Sequence, residues 1–238
     1  MQVLGVIPAR FGATRFPGKP LADIGGKSLV QHVWERAAQC GTLAKVVVAT
    51  EDERVAEHVR AFGGEPVLTS PDHASGTDRL GEVAQRERFD YYVNIQGDEP
   101  LLYSPAVDAL VSSTLPAQAP MSTLVTPLTE DFDNPNVVKV VRDKDNYALY
   151  FSRSQIPYPR NEGGTYLKHI GIYMYSRETL LNLCELPTAM AERSESLEQL
   201  RALHNGIRIL TVDCDYDSIA VDVPEDVDKV LARMAVVR

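Results

Sequence analysis

Four short apolar runs punctuate the first hundred residues: Val3 to Ile7, Lys45 to Thr50, Pro66 to Thr69 and Tyr91 to Ile95. Between them lie segments with helical spacing. Leu29, Val30, Val33, Trp34 and Ala37 follow Ser28 as an N-cap, a second helix runs from about Glu53 to Phe62 and stops at Gly63–Gly64, and a third spans Asp78 to Arg88. Strands that are apolar on both faces and alternate with helices are what a parallel sheet covered on both sides requires. The expected class is therefore α/β, a mostly parallel Rossmann-like three-layer sheet. After a helix at Ser104 to Ser113 the rhythm changes. Met121 to Pro127, Val137 to Val141 and Ala148 to Ser152 are strand-like without intervening helices, and Tyr166 to Tyr175 resumes as strand, so a smaller mixed β extension is expected there. Helices at about Glu178 to Cys184 and Ser196 to His204, a strand at Ile207 to Val212 and a last helix from Pro224 complete the reading. At 238 residues and 44% hydrophobic content the chain can build one substantial core, and a single domain, 1–238, is expected.

The first strand runs into VIPARFGATRFPGKPL, Val6 to Leu21, which carries Arg10, Arg15 and Lys19 and no acid before Asp23. Three cations on one loop, in a chain of net charge −9, suggest a polyanion site. Two familiar phosphate loops do not fit it. A Walker A loop places Ser or Thr after its lysine, but Pro20 follows Lys19, and five residues rather than four separate Gly12 from Gly18. The glycines also never take the G-x-G-x-x-G spacing of a dinucleotide fingerprint. What remains is a loop stiffened by proline, opened by glycine and placed where open α/β sheets bind ligands, at the carboxyl end of a strand.

Gln96-Gly97-Asp98-Glu99-Pro100 ends the fourth strand, and Asp98 there either holds Mg²⁺ against phosphate or caps the turn before Pro100. In Asp72-His73-Ala74-Ser75-Gly76-Thr77-Asp78-Arg79, Ser75 or Thr77 caps the following helix, and Arg79 offers polar contacts to a base or anion. Asp222, in VDVPEDV, stands ahead of the last helix, where capping is the default role; a metal role requires it to fold back near Asp98. The pI near 5.1 and the lack of basic runs argue against nucleic acid. No segment is long and apolar enough for a membrane span, and the N-terminus lacks signal-peptide features, so a cytoplasmic protein is expected. Cys40, Cys184 and Cys214 are widely spaced and in no C-x-x-C pair, and are expected to be reduced fillers.

IPARFGATRFPGKPL, DHASGTDR, NIQGDEP, NPNVVKVV, ALYFSRSQIP, KHIGIYMY, ESLEQLR and VDVPEDV occur in this order along almost the whole chain. Together they resemble the 3-deoxy-D-manno-octulosonate (Kdo) cytidylyltransferases, or CMP-Kdo synthetases, of the nucleotidyltransferase superfamily. The resemblance implies the Mg²⁺-dependent reaction of CTP with Kdo to give CMP-Kdo and pyrophosphate, for lipopolysaccharide synthesis. It implies that Arg10, Arg15 and Lys19 hold the triphosphate, that the Ala9 backbone, Ser75, Arg79 and Gln96 read cytidine, and that Asp98 and Asp222 hold the metal, with Lys19, Asp98 and Asp222 as the catalytic set. Arg153, His169, Tyr173, Glu198 and Gln199 would meet the acidic sugar, with Arg153 the natural partner for its carboxylate. A homodimer built on about residues 128–190 is also implied.

The sequence departs from the family in several places. Ala13 stands where serine is common, Ala220 and Val223 replace the usual Gly and Thr around Asp222, and the Pro157 to Lys168 segment is short and Gly-rich. An 8-amino relative of Kdo or a sialic-acid-like sugar is therefore an alternative acceptor. A catalytically idle nucleotide-sugar-binding protein is the alternative of another class.

Overall fold

The computed structural model describes residues 1–12, 15–161, 164–217 and 219–236. The chain forms two compact units, Met1–Asp108 with Ser218–Arg238, and Ala109–Asp217. The stretch 128–190 lies within the second.

In the first unit, β1 (Val3–Pro8), β2 (Lys45–Thr50), β3 (Glu65–Leu68) and β4 (Tyr91–Asn94) form a parallel array in the order β3-β2-β1-β4. Every residue of β4 and all of β1 except Pro8 are buried, as apolar runs covered on both faces should be. Helices α1 (Leu29–Ala37), α2 (Glu53–Ala61) and α3 (Gly76–Arg86) alternate with these strands. Ser28 caps α1, its Oγ accepting the Gln31 N–H, and turns Leu29, Val30, Val33 and Ala37 inward. Trp34, expected on the same face, is half-buried. Asp52 caps α2, and Ser75 begins α3 with a capping box in which its hydroxyl accepts from Asp78 N and Asp78 accepts from Ser75 N. α4 (Ser104–Ala117) outruns the expected Ser113, and Pro116 lies inside its last turn.

The second unit is mixed, as the broken rhythm implied. β5 (Met121–Leu128) pairs antiparallel with β8 (Tyr166–Ser176) and parallel with β9 (Ile209–Asp213); β6 (Lys139–Arg142) pairs antiparallel with both β7 (Ala148–Ser152) and β8. An isolated bridge from Tyr147 to Leu210 brings the start of β7 back to β9. α5 (Arg177–Glu185) follows β8.

The helix expected at Ser196 to His204 is present as α7 (Gln199–His204), starting three residues later, and an unexpected short helix, α6 (Met190–Glu195), precedes it. Ser196 separates the two: at φ 52° it is left-handed, ends α6 and cannot itself be helical. The last helix, α8 (Asp226–Val236), starts later than the proline suggested.

Candidate functional site

The basic loop is held to the rest of the first unit by its backbone. Ala9 N donates to Ala49 O at 2.8 Å, Phe11 N to Glu51 Oε1 at 2.9 Å, and Gly18 N to Phe11 O at 3.0 Å. Gly18 takes φ 73°, a left-handed turn that suits glycine, and Lys19–Leu21 then form a 3₁₀ turn with Pro20 buried. Because the Ala9 amide is used, only its carbonyl is left to meet a base. Ala13 lies outside the described residues.

The other expected blocks close on the end of β1. Gly97 is required there: a Cβ at that position would stand 2.4 Å from Pro8 O. Gly76 approaches the Pro8 ring from the start of α3, with a Cβ position 3.5 Å from it. Sequence spacing leaves open whether Asp222 comes back to Asp98, and the fold answers it: Val221 N donates to Asp98 O at 2.8 Å.

Asp222 is freed from the capping role that its sequence position suggests. The Asp226 carboxylate, at the start of α8, reaches back to hold the turn ahead of the helix, accepting from Asp222 N at 3.0 Å and Val223 N at 3.2 Å, so the turn closes with Ala220 and Val223 in place. These bonds and Lys229 depress the Asp226 carboxyl to about 2, the Lys229 hydrogen bond being the largest cause. The Asp222 carboxylate points elsewhere. Lys19 Nζ lies 2.9 Å from Asp98 Oδ2 and 3.7 Å from Asp222 Oδ1, and Arg15 Nη2 approaches Asp222 Oδ1 at 3.6 Å. Two carboxylates thus converge on one cation. Mg²⁺ at nucleotide sites commonly takes one or two carboxylates and completes its shell with phosphate oxygens and water, so this pair fits it. Among the described residues no cluster of three or more His, Cys, Asp or Glu offers an all-protein cage.

Arg79 is deeply placed. Its guanidinium lies 3.0 Å from Glu51 Oε2 and donates to Thr69 Oγ1, and its side chain is 3% exposed. Burial lowers its pKa below that of ordinary arginine, with the Glu51 charge opposing that shift and Arg10 adding to it. Arg10 is exposed and Gln96 half-buried. The Ser75 hydroxyl is engaged with Asp78 in the capping box, donating to Oδ2 at 3.0 Å. Ala9, Arg10, Arg15, Lys19, Ser75, Arg79, Gln96, Asp98 and Asp222 all belong to the first unit.

Arg153, His169, Tyr173, Glu198 and Gln199 all belong to the second. A register shift opposite Thr123 and Leu124 lets β8 bulge between His169 and Tyr173, whose rings lie 5.2 Å apart. Thr123 Oγ1 lies 3.1 Å from Ile170 O and 2.9 Å from Ile172 O, and these carbonyls take its only proton. Toward His169 it is therefore an acceptor, which assigns the hydrogen to Nε2, at 3.1 Å, and leaves Nδ1 as a hydrogen-bond acceptor. Burial pushes His169 down to about 3 and holds the ring neutral. Tyr173 is driven well up by burial, with Tyr175 and the charge of Glu198 adding to the effect.

Gln199, 4% exposed, presents a buried side-chain nitrogen with no hydrogen-bond partner. That orphaned amide suits an oxygen-rich ligand.

Arg153 is less free than the resemblance implied. Its guanidinium donates to Glu195 O at 2.6 Å, Pro135 O at 2.8 Å and Ser196 O at 3.3 Å. Glu195 in turn accepts from Ser152 Oγ and Arg153 N, and the fully buried Lys139 donates to the carbonyls of Asn134, Val137 and Arg153.

Residues 4–209 match the model of the cytidylyltransferase family. A 3-deoxy-manno-octulosonate cytidylyltransferase of Geobacter sulfurreducens is 47% identical, over 98% of this chain and all of that one. The chain belongs to the 3-deoxy-manno-octulosonate cytidylyltransferase family. A relative of the same name from Solibacter usitatus is 48% identical, over 96% of this chain and 93% of its own. A solved CMP:2-keto-3-deoxy-manno-octonic acid synthetase complexed with CTP superposes with a TM-score of 0.96 at 47% identity, with both chains covered in full. A Leptospira borgpetersenii cytidylyltransferase, at 19% identity and TM-score 0.69 over 99% of this chain and 87% of its own, shares the fold. Family membership and the mostly parallel α/β class both agree with the sequence reading.

Four groups that shape these sites were given no role in the sequence reading, although Lys139, Glu195 and Asp226 stand inside the blocks NPNVVKVV, ESLEQLR and VDVPEDV. Glu51 follows a strand as an ordinary acid, and Asp226 is one of several acids near a helix start. Lys139 sits inside an apolar strand, and Glu195 lies on a helix that the periodicity did not reveal. Only Lys139 carried a signal, since a lysine flanked by valines in a β run is out of pattern.

Proposed function

We infer that this chain transfers CMP from CTP to the anomeric hydroxyl of Kdo, giving CMP-Kdo and pyrophosphate. The observation that carries the reading is the convergence on Lys19 of Asp98 and Asp222, two carboxylates far apart in sequence, at the carboxyl end of β1 and β4. The near-identical fold of a relative complexed with CTP supports the choice of nucleotide. Arg10, Arg15 and Lys19 grip the triphosphate, and the Ala9 carbonyl, Ser75, Arg79 and Gln96 form the cytidine side. On the acceptor side, neutral His169 offers Nδ1 as an acceptor, and Tyr173, Glu198 and the orphaned Gln199 amide offer partners to sugar hydroxyls. Arg153 meets the carboxylate with the guanidinium N–H groups that its three carbonyl bonds leave over.

The acceptor hydroxyl attacks the α-phosphorus in line, and the pyrophosphate leaves into the positive charge of Lys19 and the two arginines. Mg²⁺ held by Asp98 and Asp222 would lower the pKa of the attacking hydroxyl and neutralise phosphate charge. No side chain is required as general base.

The protein is further proposed to act as a homodimer in the cytoplasm. Leu149, Tyr158 and Met190, all on the second unit, are 62%, 82% and 81% exposed, and these large apolar side chains are candidates for what a partner covers. No helix among the described residues is long and apolar enough to cross a membrane.

Pyrophosphate release from CTP with Mg²⁺, followed for Kdo, 8-amino-Kdo and N-acetylneuraminate, tests the assignment. Turnover is expected to be fastest with Kdo and lost with EDTA. Turnover of N-acetylneuraminate alone would overturn the choice of sugar, and nucleotide binding without turnover of any acceptor would favour an idle binding protein.

A further inference from the structure

Glu51 touches two groups that serve opposite ends of the nucleotide. Its Oε1 accepts the backbone N–H of Phe11 at 2.9 Å, inside the loop that carries Arg10, Arg15 and Lys19. Its Oε2 lies 3.0 Å from Arg79 Nη2, and the two side chains are 13% and 3% exposed. Arg79 is so deeply placed that it needs a carboxylate partner, and Glu51 supplies its main favourable charge, with Glu82 contributing less. The loop end of this link is itself fixed: Phe11 O accepts from Gly18 N, and the Arg54 guanidinium lies 3.7 Å over the Phe11 ring.

We infer that Glu51 is a positioning residue for CTP, one carboxylate that holds the triphosphate loop by its Phe11 amide and the cytidine-side arginine by its guanidinium. The inference rests on the CTP reading of this site. It means that base and phosphates are gripped in a common register, because neither partner can shift without moving the carboxylate they share.

Kinetics and amide hydrogen exchange on the full chain test it. Glu51→Gln keeps an oxygen for Phe11 N–H but loses the charge facing Arg79. Glu51→Asp keeps the charge but is one methylene too short to reach both partners. Each is expected to raise KM for CTP by about tenfold or more, with KM for Kdo within about twofold. Exchange across residues 9–19 is expected to rise in Glu51→Asp and to stay near wild type in Glu51→Gln. A residue that served folding alone would lower the active fraction and leave both KM values unchanged, so unchanged KM for CTP in either folded variant overturns the inference. In the unmodified protein the Phe11 amide should be protected although it lies in a loop; free exchange there overturns the tether even if neither variant folds. Failure of wild type to turn over CTP with Kdo would instead overturn the functional reading, and the exchange comparison would still decide whether the tether exists.

Discussion

Because Lys19 Nζ lies within 2.9 Å of Asp98 and 3.7 Å of Asp222, the free protein meets both carboxylates with a cation of its own. A substrate that draws the ammonium toward phosphate releases the acids for other work. Asp98→Asn should therefore cut kcat on the order of 10²-fold while changing CTP affinity much less, since the lost charge matters most as the transition state forms. Equal turnover in the variant, measured by pyrophosphate release with binding by calorimetry, would remove Asp98 from the chemistry. His169 makes a prediction about acid. In the unfolded chain it takes a proton near pH 6.5, whereas burial delays this to about pH 3 in the folded protein. Over that window the unfolded state binds more protons, so stability falls as pH falls, by up to about 1.4 kcal/mol per unit from this group. Denaturant unfolding at pH 7 and 5 should show wild type losing up to about 2 kcal/mol more than His169→Gln; parallel losses would mean that the ring titrates normally.

At the scale of elements, the start of α8 shows what patterning can and cannot reveal. A proline, several acids and an apolar period announce a helix after Val223, but they do not say which acid holds the turn that enters it. That is Asp226, whose carboxylate reaches back to two amides at once, while the Asp222 carboxylate faces Lys19. Asp226→Ala should cost about 1 kcal/mol or more in unfolding experiments, the usual value of lost side-chain hydrogen bonds to a turn, and should also weaken nucleotide-dependent metal binding by loosening the turn that carries Asp222. With its carboxyl depressed to about 2, Asp226 contributes stability that is present above about pH 4 and lost as pH falls through 2. The parallel strands and their helices were legible for the same reason that β1 and β4 are buried on both faces, since such runs have few alternatives. Ser196 was not legible: no local pattern marks a serine as left-handed, yet that conformation ends α6 and makes α7 start later than the expected helix. The polar network of Lys139, Ser152, Arg153 and Glu195 was hidden for a related reason, because its bonds join residues far apart in sequence and mostly end on backbone carbonyls that any residue supplies.

For the whole molecule, the exposed Leu149, Tyr158 and Met190 give the proposed dimer a concrete test. Sedimentation at micromolar concentration should give about twice the 26.3 kDa chain mass, and charged replacements at Leu149 and Met190 should shift the species to monomer without unfolding it. A monomer in the unmodified protein would leave that surface for another use. The first unit, meanwhile, is assembled from two separate lengths of chain: Val221 donates to Asp98 across an interval that holds the entire second unit. A ribosome delivers the cationic loop and Asp98 first and Asp222 roughly 120 residues afterward, a delay on the order of ten seconds. Until then the cation and the first carboxylate lack their partner, so the pair of acids that faces Lys19 is completed only after the whole second unit has been synthesised.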